Sequence, residues 1–258
     1  MKILMIGDAV GRPGRRALSV LVPKLRRDLA IDVVIANGEN AAAGRGLTLN
    51  SAEEMFAAGV DIITSGNHIW DQKEIINHLD GDLPIVRPLN YPAGAPGRGI
   101  IEHKGITVIN LQGRVFMANI DCPFRAADEA LAGLPPNSVV IVDMHAEATS
   151  EKVATGRYLD GRVSAVLGTH THVATADARI LPKGTAFVCD VGMTGAKDSI
   201  IGDDVDCVIR RFLTAMPVRL EVASGPDLIL NSVLIEVDEE TGRARRVQRV
   251  DREFSDDQ

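Results

Sequence analysis

The segment VSAVLGTHTH, residues 163–172, is a short β-rich apolar run that stops on His170 and His172, and four other stretches repeat its plan. KILMIGD (2–8) stops on Asp8, DVVIANGEN (32–40) on Glu39 and Asn40, VDIITSGNH (60–68) on Asn67 and His68, and VVIVDMH (139–145) on His145. An apolar run of this length reads as a strand buried on both faces of an open α/β sheet, and such sheets collect ligands beyond their strands' carboxyl ends. Eight side chains able to bind metal or move protons are therefore expected to converge on one crevice, as a composite metal site.

At 258 residues, with 45% hydrophobic and 24% charged residues, the chain fits one globular α/β domain spanning 1–258. A helix is expected from Pro13 to Ala30, where Ala17, Leu18, Leu21, Val22, Leu25 and Leu29 share a face and Pro23 marks a kink or break. A second runs from Ser51 to Ala58 behind a cap at Asn50 or Ser51, and others cover 71–79, 124–131, 149–159 and 203–214. ITVINLQG (106–113) and TAFVCDVG (185–192) add strands, and 227–250 reads as two strands joined at the Glu239 to Gly242 turn. That antiparallel tail points to a mixed sheet, or to two sheets packed face to face with helices outside. RPLNYPAGAPGRG (87–99) is a loop, the residues from Asp251 onward read as a frayed end, and the sequence has no internal repeat.

The N-terminus turns charged and glycine-rich almost at once, unlike a secretion signal, and no apolar run approaches the ~18 residues needed to span a bilayer. Cys122, Cys189 and Cys207 are odd in number and never spaced CxxC, which argues against a disulfide framework or a thiolate zinc site. A reducing cytoplasm is the expected compartment. The net charge of -7, from 28 basic and 35 acidic residues, disfavours duplex DNA as a partner. It says less about small phosphates, because bound cations invert the field inside a crevice. A homo-oligomer is compatible with the sequence.

Taken singly, several of these residues have plainer uses. His170 and His172 read equally well as ligands or as surface histidines, and Asp8 alone reads more readily as a helix cap. Glu39 in the same strand-end position shifts Asp8 towards ligation, since carboxylates gathered with histidines make a metal site. Glu39, between small residues, has two oxygens that can bridge two ions; Asn40 and Asn67 are neutral oxygen ligands, and Asn37 is read as a turn former. His78 and His103 are assigned to solvent. GDAVGRPGRR lacks the spacing of a nucleotide-binding loop, so Arg12, Arg15 and Arg16 are read as solvent-facing or as contacts to substrate phosphate. No GxSxG elbow supports a serine hydrolase.

With GD (7–8), NGEN (37–40), GNH (66–68), MHAE (144–147) and GTHTH (168–172) in this order, the chain resembles the calcineurin-like metallophosphoesterases. GNHIWDQKEI and CDVGMTG are similar to their YmdB-like bacterial phosphodiesterase branch, and the resemblance spans essentially the whole chain. It implies a sandwich of two mixed β-sheets flanked by helices. It implies one metal on Asp8, Glu39, Asn40 and His172, a second on Glu39, Asn67, His145 and His170, and His68 as general acid. Two departures from the wider pattern stand out. The usual DxH motif has Val10 in its third position, leaving Asn40 to fill the vacancy, and the bridging aspartate is replaced by Glu39, one methylene longer.

The resemblance also implies hydrolysis of a phosphodiester such as a 2′,3′-cyclic nucleotide. Two cations about 3.5–4 Å apart would hold a bridging hydroxide for in-line attack, and a histidine, which titrates near neutral pH, suits protonation of the leaving alkoxide. Nitrogen and oxygen donors without sulfur suit iron, manganese or zinc, with iron or manganese favoured by the resemblance. The rivals are a phosphomonoesterase or protein phosphatase on the same metals, and a non-catalytic metal-dependent regulator that binds protein or RNA. Trp70, Tyr91, Phe116 and Tyr158 are candidates for base stacking, although core packing is the commoner use of aromatics.

Overall fold

The computed structural model describes residues 1–255. In chain order they form β1 (Lys2–Ile6), β2 (Asp8–Ala9), α1 (Gly11–Leu29), β3 (Val33–Asn37), α2 (Leu49–Ala57), β4 (Ile62–Thr64) and α3 (Lys73–Ile76). There follow β5 (Ile100–His103), β6 (Ile106–Gln112), α4 (Pro123–Ala132), β7 (Val140–His145), α5 (Thr149–Leu159), β8 (Ala165–Thr169), β9 (Arg179–Ile180) and β10 (Ala186–Val188). The last elements are β11 (Met193–Ala196), α6 (Val205–Thr214), β12 (Asp227–Leu230), β13 (Ser232–Val237), β14 (Ala244–Arg249) and β15 (Arg252–Ser255).

Two mixed sheets carry the fold, ordered β14-β13-β1-β3-β4 and β5-β6-β7-β8-β10-β9. Within them β1, β3 and β4 run parallel, as do β6, β7, β8 and β10, while β13 pairs antiparallel with both β1 and the edge strand β14, and the edge strands β5 and β9 pair antiparallel with β6 and β10. Alternate side chains decide the layers. Ile3, Met5, Val33 and Ile35 of the first sheet meet Val108, Ile141, Leu167 and Val188 of the second in a shared apolar core. The opposite faces pack outward, Leu4, Ile6 and Val34 against α1 and α2, and Val140, Val142 and Val166 against the side carrying α4 and α5. The result is the four-layered sandwich of two mixed sheets between helices, and every residue of β3, β7 and β8 is buried because both its faces are covered.

Several local expectations are corrected. Helix α1 passes through Pro23 without interruption, because Pro23 and Ser19 lie on the solvent face, where water can satisfy a carbonyl left without its donor. Helix α2 begins after Thr48, which forms a capping box with Ser51. Only Lys73–Ile76 of 71–79 is helical, and β10 stops at Val188. The expected hairpin is β13 and β14 alone. Asn231 separates off β12, which joins β15, β11 and β2 in a small third sheet that the sequence did not announce. Residues 252–255, expected to fray, pair with β12, Asp251 before them accepts from the Ser232 amide at 3.0 Å, and 256–258 of that expected end lie outside the described residues. Among the described residues no helix is long and apolar enough to cross a membrane.

Candidate metal centre

Asp8 lies in β2, fully buried, and does not cap α1, whose N-cap Val10 has no side-chain hydrogen bond. Its Oδ2 accepts from the His170 amide at 3.2 Å. Its Oδ1 and the Oδ1 of Asn40 are buried without a hydrogen-bond partner, an arrangement that costs about 1–3 kcal/mol per group unless a cation or water compensates. His172 Nε2 stands 3.8 Å from Asp8 Oδ1, beyond hydrogen-bonding range. Its Nδ1 is 2.7 Å from the Ile201 carbonyl, which fixes the proton on Nδ1 and turns the Nε2 lone pair towards Asp8. Two orphaned oxygens and an imidazole lone pair fit a cation.

The second nest surrounds His145. Its Nε2 lies 3.0 Å from Glu39 Oε1, 3.1 Å from Asn67 Oδ1 and 3.0 Å from His170 Nδ1. Donor atoms of Glu39, His145 and His170 all fall within 4.8 Å of one another. Behind them, His145 Nδ1 lies 2.9 Å from Thr169 Oγ1, whose hydroxyl donates to Asp143 Oδ1 at 2.7 Å. His170 Nε2 contacts Glu147 at 3.1 Å. Each ring thus has its far nitrogen tied to an acceptor, the usual way of orienting a histidine ligand. The chain brings Glu39, Asn67, His145 and His170 together here, and Asp8 with His172 alongside. Asn37 shapes the turn as expected, its Oδ1 accepting from the Glu39 amide at 3.1 Å, and, buried, it also donates to Asp143 Oδ2 at 3.1 Å and to the Ser65 carbonyl at 3.2 Å, tying β3 to β7.

Past the end of β8 the chain enters left-handed backbone at His170 (φ 95°) and His172 (φ 64°), a conformation that survives only where neighbours enforce it. Asp190 does so, accepting from the Thr171 amide at 3.1 Å and hydroxyl at 2.6 Å, with Lys152 Nζ 2.7 Å from the same oxygen. Lys152 and Asp190 are both 1% exposed, and losing one partner of such a pair typically costs about 3–5 kcal/mol. Close packing also dictates Gly66. A Cβ there would lie 2.2 Å from the His145 ring and 2.5 Å from Glu39 Oε2.

His68 sits at the rim. Its amide donates to Glu39 Oε2 at 2.9 Å and its Nδ1 is 2.9 Å from Asp71 Oδ2, which holds the ring and leaves Nε2 as its second nitrogen. Asp71, Asp143, Thr169, Lys152, Asp190 and Glu147 were assigned no role from the sequence. Asp143 and Asp190 had a signal, a lone carboxylate inside an apolar strand-like run; Asp71, Thr169 and Glu147 stood inside motifs that carry the resemblance, and Lys152 had no signal. Of the aromatics, Trp70 packs edge-on to Tyr91 at 5.4 Å and Tyr158 edge-on to Phe124 at 5.3 Å, whereas Phe116 is exposed.

Charge follows this geometry. Burial opposes ionisation of His145, but Glu39, backed by Asp8 and Asp143, outweighs it and lifts the imidazole to about 9. Glu39, despite burial, is held down to about 2 by His145 and His68. Burial and the His145 charge push His170 down to about 3, and burial raises Asp8 and lifts Asp143 to about 6. In cation-free protein the fold therefore keeps a proton on His145 that an unfolded histidine releases near 6.5, so this stabilisation is complete below pH 6.5 and is lost as pH rises through 9. Chelator-treated protein should lose roughly 3 kcal/mol across that interval. Thermal melts at pH 6.5, 7.5 and 8.5 should show Tm falling steadily, and a flat profile would exclude the Glu39–His145 ion pair.

A four-layered α/β/β/α sandwich with a crevice of carboxylates, amides and imidazoles at its strand ends defines a metallophosphoesterase. The chain belongs to the YmdB-like protein family, whose model matches residues 4–250. It is 50% identical over 255 residues to the 2′,3′-cyclic-nucleotide 2′-phosphodiesterase of Bacillus subtilis, covering 97% of this chain and 96% of that protein. Among solved structures, a hypothetical protein from Thermus thermophilus superposes with a TM-score of 0.92 at 46% identity, covering 98% of this chain and 100% of the other. A phosphatase from Mycoplasma pneumoniae superposes with a TM-score of 0.93 at 34% identity, covering 99% and 94%.

Proposed function

We propose that this enzyme, read as one domain over residues 1–258, hydrolyses phosphodiesters, with 2′,3′-cyclic nucleotides as its substrate class. The observation that carries the reading is the meeting of Glu39, Asn67, His145 and His170 beside the unpartnered oxygens of Asp8 and Asn40. That donor set suits a pair of iron or manganese ions, with zinc chemically acceptable, and the activity for which the Bacillus relative is named supports the substrate. Asp8, Asn40 and His172 would hold one ion and Asn67, His145 and His170 the other, with Glu39 offering an oxygen to each. Cations bound there would supply Lewis-acid clamping of the phosphoryl oxygens and a water ionised near neutral pH.

The chain's own residues do the remainder. Thr169, Glu147 and the Ile201 carbonyl fix which nitrogen of each histidine carries a proton, so the lone pairs aim inward. His68, steadied by Asp71, gives its proton to the alkoxide that leaves phosphorus as water's oxygen arrives, so the ring opens to a phosphomonoester and a free hydroxyl. A bacterial cytoplasm supplies such nucleotides and agrees with three free cysteines. The test is manganese-reconstituted protein assayed on 2′,3′-cyclic AMP, bis-nitrophenyl phosphate and mononitrophenyl phosphate. The diesters should be preferred over the monoester by at least about tenfold in kcat/KM, and the opposite order would make it a phosphomonoesterase.

A further inference from the structure

The chain is acidic overall, yet two adjoining clefts are lined by arginine. The first, of about 840 Å³, carries Arg45, Arg211 and Arg219. The second, of about 650 Å³, carries Arg12, Arg16 and Arg219, and the two share Ala43, Arg219 and Leu220 as a common wall. Along this continuous track five arginines share the lining with two acidic residues, Asp203 and Glu221. One end reaches the metal centre by two routes. Gly44 in the lining accepts from Asn40 Nδ2 at 2.9 Å, and Asp203 interacts electrostatically with His172 on one side and with Arg45 and Arg211 on the other. Gln72, also in the lining, follows Asp71, the partner of His68.

Helix α6 adds an apolar element. Phe212 is 80% exposed and Met216, just past the helix, is 63% exposed, both within the arginine-lined cleft. A cationic groove with an exposed aromatic beside it is the chemistry that holds a single nucleic-acid strand, phosphates on guanidinium and bases on the ring. An acidic peptide would use the arginines but would gain little from Phe212.

We propose that this track binds the last few nucleotides of a single-stranded RNA and presents its 3′-terminal cyclic phosphate to the metal centre. The substrate class is then an oligoribonucleotide end, with the free cyclic mononucleotide as its minimal fragment. This rests on the phosphodiesterase reading above. An overall negative charge does not oppose it, since the field that a short strand meets is that of the groove.

The test uses the full-length, manganese-loaded protein and a fluorescein-labelled pentaadenylate ending in a 3′-phosphate, with adenosine 3′-monophosphate as the short competitor. Wild type should bind the pentamer at least about tenfold tighter than the monophosphate. That preference should weaken with salt and disappear in the Arg211→Ala/Arg219→Ala double variant. Phe212→Ala should lower pentamer affinity about tenfold. Turnover of 2′,3′-cyclic AMP should stay within about twofold in all variants, which also shows that they fold. Equal affinity for pentamer and monophosphate, or a double variant that keeps the preference, overturns the proposal. Equal competition by a polyglutamate peptide overturns it in favour of an acidic protein partner. Strand binding that survives while no diester is turned over would sink the phosphodiesterase reading and leave the strand site standing.

Discussion

Replacing Glu39 by Gln should lower kcat/KM on any diester by at least about 10³-fold, equivalent to about 4 kcal/mol of transition-state stabilisation. The side chain is 1% exposed and its two oxygens face different neighbours, Oε1 towards His145 Nε2 at 3.0 Å and Oε2 towards the His68 amide at 2.9 Å. Gln keeps the shape and one oxygen but removes the negative charge that two cations would share. Metal analysis after reconstitution should therefore find no more than one ion per chain, against the two expected for wild type. Glu39→Ala is a harsher change, because it strips a buried imidazole of its counter-charge and typically costs about 3–5 kcal/mol of stability as well. Gln separates the two effects, since His145 can simply lose its proton. The same substitution at His78, which lies outside the cluster, should leave metal content and rate unchanged. If Glu39→Gln protein binds both ions and turns over normally, the shared-ligand reading is wrong.

How far this centre could be read from sequence depends on how each residue is buried. Asp8, Glu39, His145 and His170 were legible because each terminates a run whose apolar character is continuous, and two covered faces leave no other place for a polar stop than the sheet's rim. The supporting shell was not legible, for its partners are remote in the chain: Asn37 meets Asp143 across 106 positions and Lys152 meets Asp190 across 38. Lys152 in particular sits in an ordinary helical segment, and only the fold reveals that it neutralises the carboxylate steadying Thr171. The tail shows the converse difficulty. Alternation in 227–250 signals strands correctly, but a period of two does not say which sheet a strand joins, so the transfer of β12 to the third sheet at Asn231 could not be foreseen. Register of that third sheet matters to the site, because β2 pairs Asp8 with Met193 of β11.

Replacing His68 by Asn should separate proton donation from cation binding. The ring lies at the rim, held through Nδ1 by Asp71, and its link to the nest is the backbone amide on Glu39 Oε2, which Asn retains. Both ions should therefore stay bound. Turnover of 2′,3′-cyclic AMP should fall about 10²–10⁴-fold, the usual worth of a general acid, with KM little altered. The loss depends on the leaving group. A ribose alkoxide is strongly basic and departs poorly unless protonated, whereas nitrophenolate leaves readily as the anion, so bis-nitrophenyl phosphate should lose much less. Asp71→Asn, which keeps the imidazole but weakens its anchor, should fall between His68→Asn and wild type on the cyclic substrate. An equal loss on both substrates would instead mean that His68 binds the phosphate or its ions, and the acid role would pass to another group.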